Sequence, residues 1–182
     1  MEDRKGNKQN LNIKNNFFIE WIMPVVAAVV IALLINKFLL FNVYIPSTSM
    51  VPTINVGDRI MASRVYNKDN IKRGDILIFY SDELQQTLIK RLIGLPGDKI
   101  LIKNGIVNIN GQDIKEDYVK NNDYNNEELV YEVPEGKYFF LGDNRPVSMD
   151  SRRWINPYID EEDIKGKAVL KFYPISDFGS IH

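Results

Sequence analysis

The chain contains no cysteine and one histidine in 182 residues. Without cysteine there is no disulfide, no thiolate zinc site and no thiol nucleophile, a composition that suits an envelope protein avoiding oxidation chemistry. The histidine is His182, the last residue, where chains are usually frayed. That leaves no room for a Ser-His-Asp triad or a multi-histidine metal centre. Any serine activated here needs another base, and lysine is the usual substitute. Charge of one sign is missing too: 23 Lys and Arg stand against 24 Asp and Glu, a net charge of −1. No basic field draws in nucleic acid. What remains is 45% hydrophobic, enough for one domain with a core and an extension.

The extension is apolar. From Trp21 to Ile35 the sequence WIMPVVAAVVIALLI carries no charge, and after Asn36 and Lys37 the run FLLF continues to Phe41. About 20 helical residues cross the ~30 Å of bilayer hydrocarbon, so the second patch is needed for length, with Lys37 snorkelling to the headgroups. Pro24 falls in the first turn, where proline does little harm. The bulky NKFLLFNVY that follows contains no small-residue cleavage pattern, which favours an uncleaved anchor over a secretory signal. Arg4, Lys5, Lys8 and Lys14 precede it, whereas residues 38–58 hold no Lys or Arg. The positive-inside rule therefore expects residues 1–16 in the cytoplasm, 17–41 as the anchor and 42–182 outside.

Beyond the anchor, short β-rich runs alternate with turns. Residues 75–80 (DILIFY), 99–103 (KILIK), 106–109 (IVNI), 137–141 (KYFFL) and 167–173 (KAVLKFY) read as strands. Asn104-Gly105 and Asn110-Gly111 read as tight turns, the first closing a hairpin. Residues 117–128, polar and rich in asparagine, read as an exposed loop, and a short helix signal lies near 160–164. The expected fold is mainly β: a compact antiparallel domain tethered to one transmembrane helix.

Two local features carry possible chemistry. PSTSMVPTI (46–54) places Ser47 and Ser49 between two prolines, in a stretch that cannot be helical throughout. LIKRLIGLPGD (88–98) places Lys90 between Leu88 and Leu92 on one face of a strand, with Ile89, Arg91 and Ile93 on the other. A lysine of ordinary pKa is only ~0.1% neutral near pH 7.5 and cannot act as a base. Burial that lowered the pKa to ~8 would leave about a quarter neutral. Taken singly, these residues have ordinary readings as well. The serines fit a turn, and Lys90 fits an edge-strand lysine whose stem covers apolar surface.

PSTSMVPT, RGDILIF, IKRLIGLPGD and LGDNRPVSMDSR follow one N-terminal apolar segment in that order. The set closely resembles bacterial type I signal peptidase in its short, single-span form, over about residues 17–173. The resemblance implies Ser49 as nucleophile and Lys90 as general base. It implies that Ser47 and the Ser49 amide form the oxyanion hole and that Ser148 orients the lysine. Asp150 and Arg152 match a supporting ion pair, with Asp143, Asn144 and Arg145 in the same structural turn. Ile45, Met50 and Ile89 fall where the family lines its pocket for small side chains. No metal or organic cofactor is implied. The implied partners are secretory preproteins and the lipid bilayer, not nucleic acid. Two departures stand out: no glycine follows DSR, where Arg153-Trp154-Ile155-Asn156 intervene, and the short connection after Lys90 leaves space only for a small accessory β-domain. The rivals are a self-cleaving Ser/Lys repressor-type protease, which would need a DNA-binding module, and a non-catalytic tethered β module.

Overall fold

A computed structural model describes residues 18–123 and 127–181. The reading of residues 1–16 and the side chain of His182 lie outside these. The chain divides into two compact units, residues 1–40 and 41–182.

In the first unit a π-helical turn, Phe18–Ile22, leads into α1, Met23–Phe38. Ile19–Phe38 forms 20 residues long and apolar enough to cross a membrane, about 30 Å at the helical rise. No residue of α1 is buried by protein, so its valines and leucines remain exposed among the described residues. A helix apolar on every side fits lipid rather than water as its surroundings. Pro24 sits in the first turn without breaking it. The expected helical end is corrected: the Leu39 N–H bonds Ile35 O, and Leu40 and Phe41 already belong to strand β1, Leu40–Tyr44.

The second unit is antiparallel β. After β1 come β2 (Arg59–Arg64), β3 (Ile76–Ser81), β4 (Gln86–Gly94), β5 (Lys99–Lys103) and β6 (Ile106–Ile109). Then follow β7 (Gln112–Asp113), β8 (Glu128–Glu132), β9 (Lys137–Leu141), β10 (Ile159–Asp160), β11 (Ile164–Tyr173) and β12 (Gly179–Ser180). The larger sheet runs β1-β2-β11-β3-β4-β9-β10, with β12 on β11, and the smaller runs β7-β6-β5-β8. The smaller sheet belongs to the same compact unit as the larger. Asn104 and Gly105, at φ of 50° and 76°, close the β5–β6 hairpin, as a type I′ turn requires.

Three apolar clusters hold the sheets. Ile45, Met50, Ile54, Ile60, Ile78 and Ile89 pack in one, Leu77, Phe79, Leu92, Phe140 and Trp154 in a second, Ile93, Ile100, Val107, Phe139 and Leu141 in a third. β4 contributes to all three through Ile89, Leu92 and Ile93. The lysine between them is therefore set in a strand that packs into all three clusters. The short helix signal near 160–164 is a 3-10 turn, Glu161–Asp163. The segment 117–128 is only partly the exposed loop expected: Tyr118, Asn122 and Asp123 are half-buried, and Glu128 begins β8.

Candidate active site

β4 pairs with β3 over Gln86–Arg91, placing Lys90 opposite Leu77, but meets β9 only from Arg91 onward. Among the described residues, no strand covers the other edge of 86–90. That edge borders a cleft lined by Val43, Pro46, Ser49, Ile78, Ile89 and Lys90, with Leu84, Val147 and Met149 at its rim.

Ser49 sits at the start of a turn, Val51 N–H bonding Thr48 O and Ile54 N–H bonding Met50 O. Its Oγ lies 2.5 Å from Lys90 Nζ, both side chains buried. Ser47 is exposed on the cleft side, its Oγ 3.4 Å from Ser49 Oγ. The Ser49 amide donates to no described backbone carbonyl.

Lys90 is 4% exposed. Burial lowers its pKa from the ordinary 10.5 to about 8, against the opposing pull of the Asp150 and Asp143 carboxylates. An uncharged amine beside a hydroxyl is a competent base. The rate of any reaction using it should climb with pH through a midpoint near 8. Stability should follow a related course. The folded state binds the Lys90 proton less tightly than the unfolded chain, so the penalty is complete below pH 8 and is relieved between 8 and 10.5. Lys90→Met should therefore raise stability at pH 7 by up to about 3 kcal/mol, the advantage shrinking towards pH 10.5. Melting temperatures of both proteins at the two pH values check this. A constant difference would contradict a desolvated lysine.

The support around the pair comes from residues 142–152. Asn144 N–H bonds Ser49 O at 3.0 Å, and Asn144 Nδ2 bonds Thr48 O at 3.1 Å. Asp143 is wholly buried and held bidentately by Arg91, at 2.9 and 2.7 Å, and Thr53 Oγ1 donates to the same carboxylate at 2.6 Å. Arg91, which alternation placed on the face away from Lys90, thus braces the serine loop through Asp143. The Arg91 guanidinium lies over Tyr118, 3.8 Å from the ring centre, and Tyr118 in turn bonds Glu116, the partner of buried Arg145. The expected Asp150–Arg152 pair forms at 2.9 and 3.0 Å, and Asp150 also accepts the Gly142 N–H.

Two expectations are corrected, and one open point is settled. Ser148 is fully buried but its Oγ has no hydrogen-bond partner among the described residues, so its bond to Lys90 is not made. It lies against the site nevertheless: a Cβ at Gly142 would meet Ser148 Oγ at 2.2 Å and Ser49 O at 2.5 Å, so only glycine admits both. Ile45 and Met50, each 1% exposed, do not line the cleft. They pack with Ile78 and Ile89 in one core cluster, so they support the cleft lining without forming it. Finally, no residue from 152 to 156 has a positive φ, so the glycine missing after DSR is not needed for backbone freedom. The Glu83 carboxylate accepts the Ile155 and Asn156 N–H groups and Trp154 is buried, which together set that segment.

Residues 18–173 match the family described as "Signal peptidase, peptidase S26". The chain belongs to this family. It is 38% identical over 180 residues to signal peptidase I of Bacillus licheniformis, covering 93% of this chain and 96% of that protein. It is 34% identical to signal peptidase I T of Bacillus subtilis strain 168, at 97% and 96% coverage. Signal peptidase IB of Staphylococcus aureus strain COL is 34% identical, at 88% and 92%. A crystal structure of a signal peptidase I from Enterococcus faecalis shares 33% identity over 54% of this chain and 96% of that one, with a TM-score of 0.48. Family and relatives make this protein a serine endopeptidase of the signal peptidase I type, with an apolar N-terminal helix that fits anchoring in a membrane. No cluster of metal-ligating side chains occurs among the described residues. Val43, Ile78, Leu84, Val147 and Met149 escaped the sequence reading, because only folding brings these separate segments to one cleft.

Proposed function

We propose that the peptidase cleaves signal peptides from exported preproteins with Ser49 as nucleophile and Lys90 as general base. The 2.5 Å contact between that hydroxyl and a buried lysine of lowered pKa carries the reading. An extended substrate adds a strand along the free edge of residues 86–90, and alternate side chains enter the cleft over Ile78 and Ile89. Two small residues, first and third before the scissile bond, fit such a surface. Neutral Lys90 takes the Ser49 proton as Oγ attacks the carbonyl carbon. The tetrahedral oxyanion receives hydrogen bonds from the Ser49 amide and the Ser47 hydroxyl. Lys90 then protonates the leaving amine, giving the acyl-enzyme, which water attacks in a second cycle to release the mature protein. Asp143, Asn144, Arg145, Asp150, Arg152 and buried Ser148 hold the loops that carry the pair.

Residues 17–41, of which 18–38 are described as helical, anchor the enzyme with residues 1–16 in the cytoplasm and 42–182 outside. Sharing one bilayer with the signal peptide's apolar segment raises the effective concentration. Protease added to spheroplasts would then digest the β unit, and its full protection would reverse the orientation.

The deciding assay incubates the detergent-solubilised full chain with a secretory preprotein. Cleavage after a small-X-small sequence is expected, and an intact preprotein would sink the proposal. In the same assay Ser47→Ala should lose ~10²–10³ in kcat with little change in KM, because an oxyanion donor acts in the transition state. Ser47→Thr, which keeps a hydroxyl, should recover part of the rate. A Ser47→Ala enzyme of normal kcat and lowered Tm would make Ser47 a turn residue only.

A further inference from the structure

The loop that carries Ser47 and Ser49 is closed at its neck by backbone bonds. Ile45 N–H donates to Asp58 O at 3.0 Å and Gly57 N–H to Ile45 O at 2.9 Å, so residues 46–57 project from one point. At that point lies a buried charge pair with no part in the chemistry. Lys171 of β11, 6% exposed, places Nζ 2.9 Å from Asp58 Oδ2, and Asp58 is 2% exposed. The same Asp58 oxygen accepts the Asn55 N–H at 2.8 Å, which ties the carboxylate to the returning arm of the loop. A second carboxylate, Asp177 on the 3-10 turn after β11, lies 2.5 Å from Nζ with its own side chain half exposed. Burial alone would lower the Lys171 pKa, but hydrogen bonds to Asp177 and Asp58 outweigh it and raise the pKa. The ammonium stays charged where a neutral one would hold the loop less firmly.

We infer that the Lys171–Asp58 pair is a positioning device that fixes the nucleophile loop against the sheet bearing the general base. The connection can be followed strand by strand. Lys171 lies on β11, Ile164–Lys167 of β11 pair with β3, and Leu77 of β3 faces Lys90 of β4. The far side of the loop is held separately by Asn144 and Asp143. Ser49 is thus held from two sides. The neck attachment refers it to β11 and β3, while Thr53, Asp143 and Arg91 refer the far side to β4. A 2.5 Å contact is unforgiving, since misplacement by about 1 Å can cost ~10²-fold in rate. Lys171 and Asp58 touch neither substrate nor the reacting atoms, so their role is positional.

The inference rests on the peptidase reading, and its test compares variants with a wild-type enzyme already shown to cleave a preprotein. A wild-type chain without cleavage would defeat that reading, whereas the variants address the loop. Lys171→Met leaves Asp58 buried without its partner and should lose both stability and kcat. The double variant Lys171→Met/Asp58→Asn removes both charges, and its Tm should return towards wild type. Its kcat should nevertheless stay about 10–10²-fold low with KM within threefold. The midpoint of its kcat/KM profile should rise above that of wild type, because a loosened loop admits water to Lys90. Lys171→Arg, which keeps the charge, should restore part of the rate. A folded double variant with wild-type kcat and midpoint would reduce the pair to a stabilising contact. A double variant that does not fold would make it a determinant of the whole domain, and either result overturns the inference.

Discussion

Ser49→Ala and Lys90→Ala should each abolish preprotein cleavage, and the double variant should be no worse than either single one. In the proposed mechanism the two groups perform one step, the removal of a proton from Oγ as the carbon–oxygen bond forms, so their losses do not add. Loss of a general base alone costs at least ~10²-fold. Here the cost is greater, because the described residues around Ser49 Oγ offer no other base: its hydrogen-bond partners are Lys90 and the Ser47 hydroxyl. Folding should survive both substitutions. Ser49→Ala removes one hydroxyl, and Lys90→Ala removes an amine whose charged form is already disfavoured by burial. Turnover and Tm measured on one preparation test this. A Lys90→Ala enzyme keeping more than about a tenth of wild-type turnover would refute the assignment of the base. An unfolded Lys90→Ala protein would contradict the electrostatic account of the strand.

The second large effect is expected at Arg91 and Asp143, and there the loss is of stability first. Their side chains are 3% and 0% exposed, and the pair is joined by two hydrogen bonds. Removing either partner leaves a buried charge without its counter-ion, at a cost of about 3–5 kcal/mol. Arg91→Met and Asp143→Leu should each lower Tm by roughly 10 °C or more, as ~2–4 °C per kcal/mol applies at this size. The combined variant carries no unpaired charge and should regain much of the loss. Activity should not return with it. Thr53 Oγ1 would have no carboxylate to donate to, and the serine loop would lose one of its attachments. Thermal melts with kcat on the three variants decide it. Equal melting temperatures for single and double variants would show that the pair does not couple as its geometry requires.

These two cases differ in how early the chain reveals them. Ser49 and Lys90 lie in local patterns, and the absence of cysteine and of any histidine before residue 182 excludes the other common dyads and triads. Alternation around Leu88 and Leu92 pointed to burial of Lys90, and the pKa near 8 has that cause. Nothing local in Arg91 tells that it meets Asp143, 52 residues away, and alternation set it on the wrong face for the site. A guanidinium is long enough to leave its strand's face for a carboxylate, and side-chain reach is not periodic.

The sequence by itself determined the apolar helix, the antiparallel β class, the Asn-Gly turns and the presence of a candidate serine and lysine with no cysteine or well-placed histidine to compete. Each depends on neighbours within a few positions: apolar run length, alternation, φ preference and the supply of titratable side chains. Only the tertiary structure decided that the helix ends at Phe38, because Leu40 and Phe41 are drawn into strand pairing. It also decided that Ile45 and Met50 are buried in the core beneath Ile78 and Ile89 and that Ser148 is turned onto Gly142. The asparagine-rich segment likewise became a support, through Tyr118 beneath Arg91 and the Asn121 carbonyl that accepts the Arg145 N–H. These outcomes rest on contacts between segments far apart in the chain. Their free energy comes from burying apolar area and pairing charges away from water, and that can be assigned only once the partners are known.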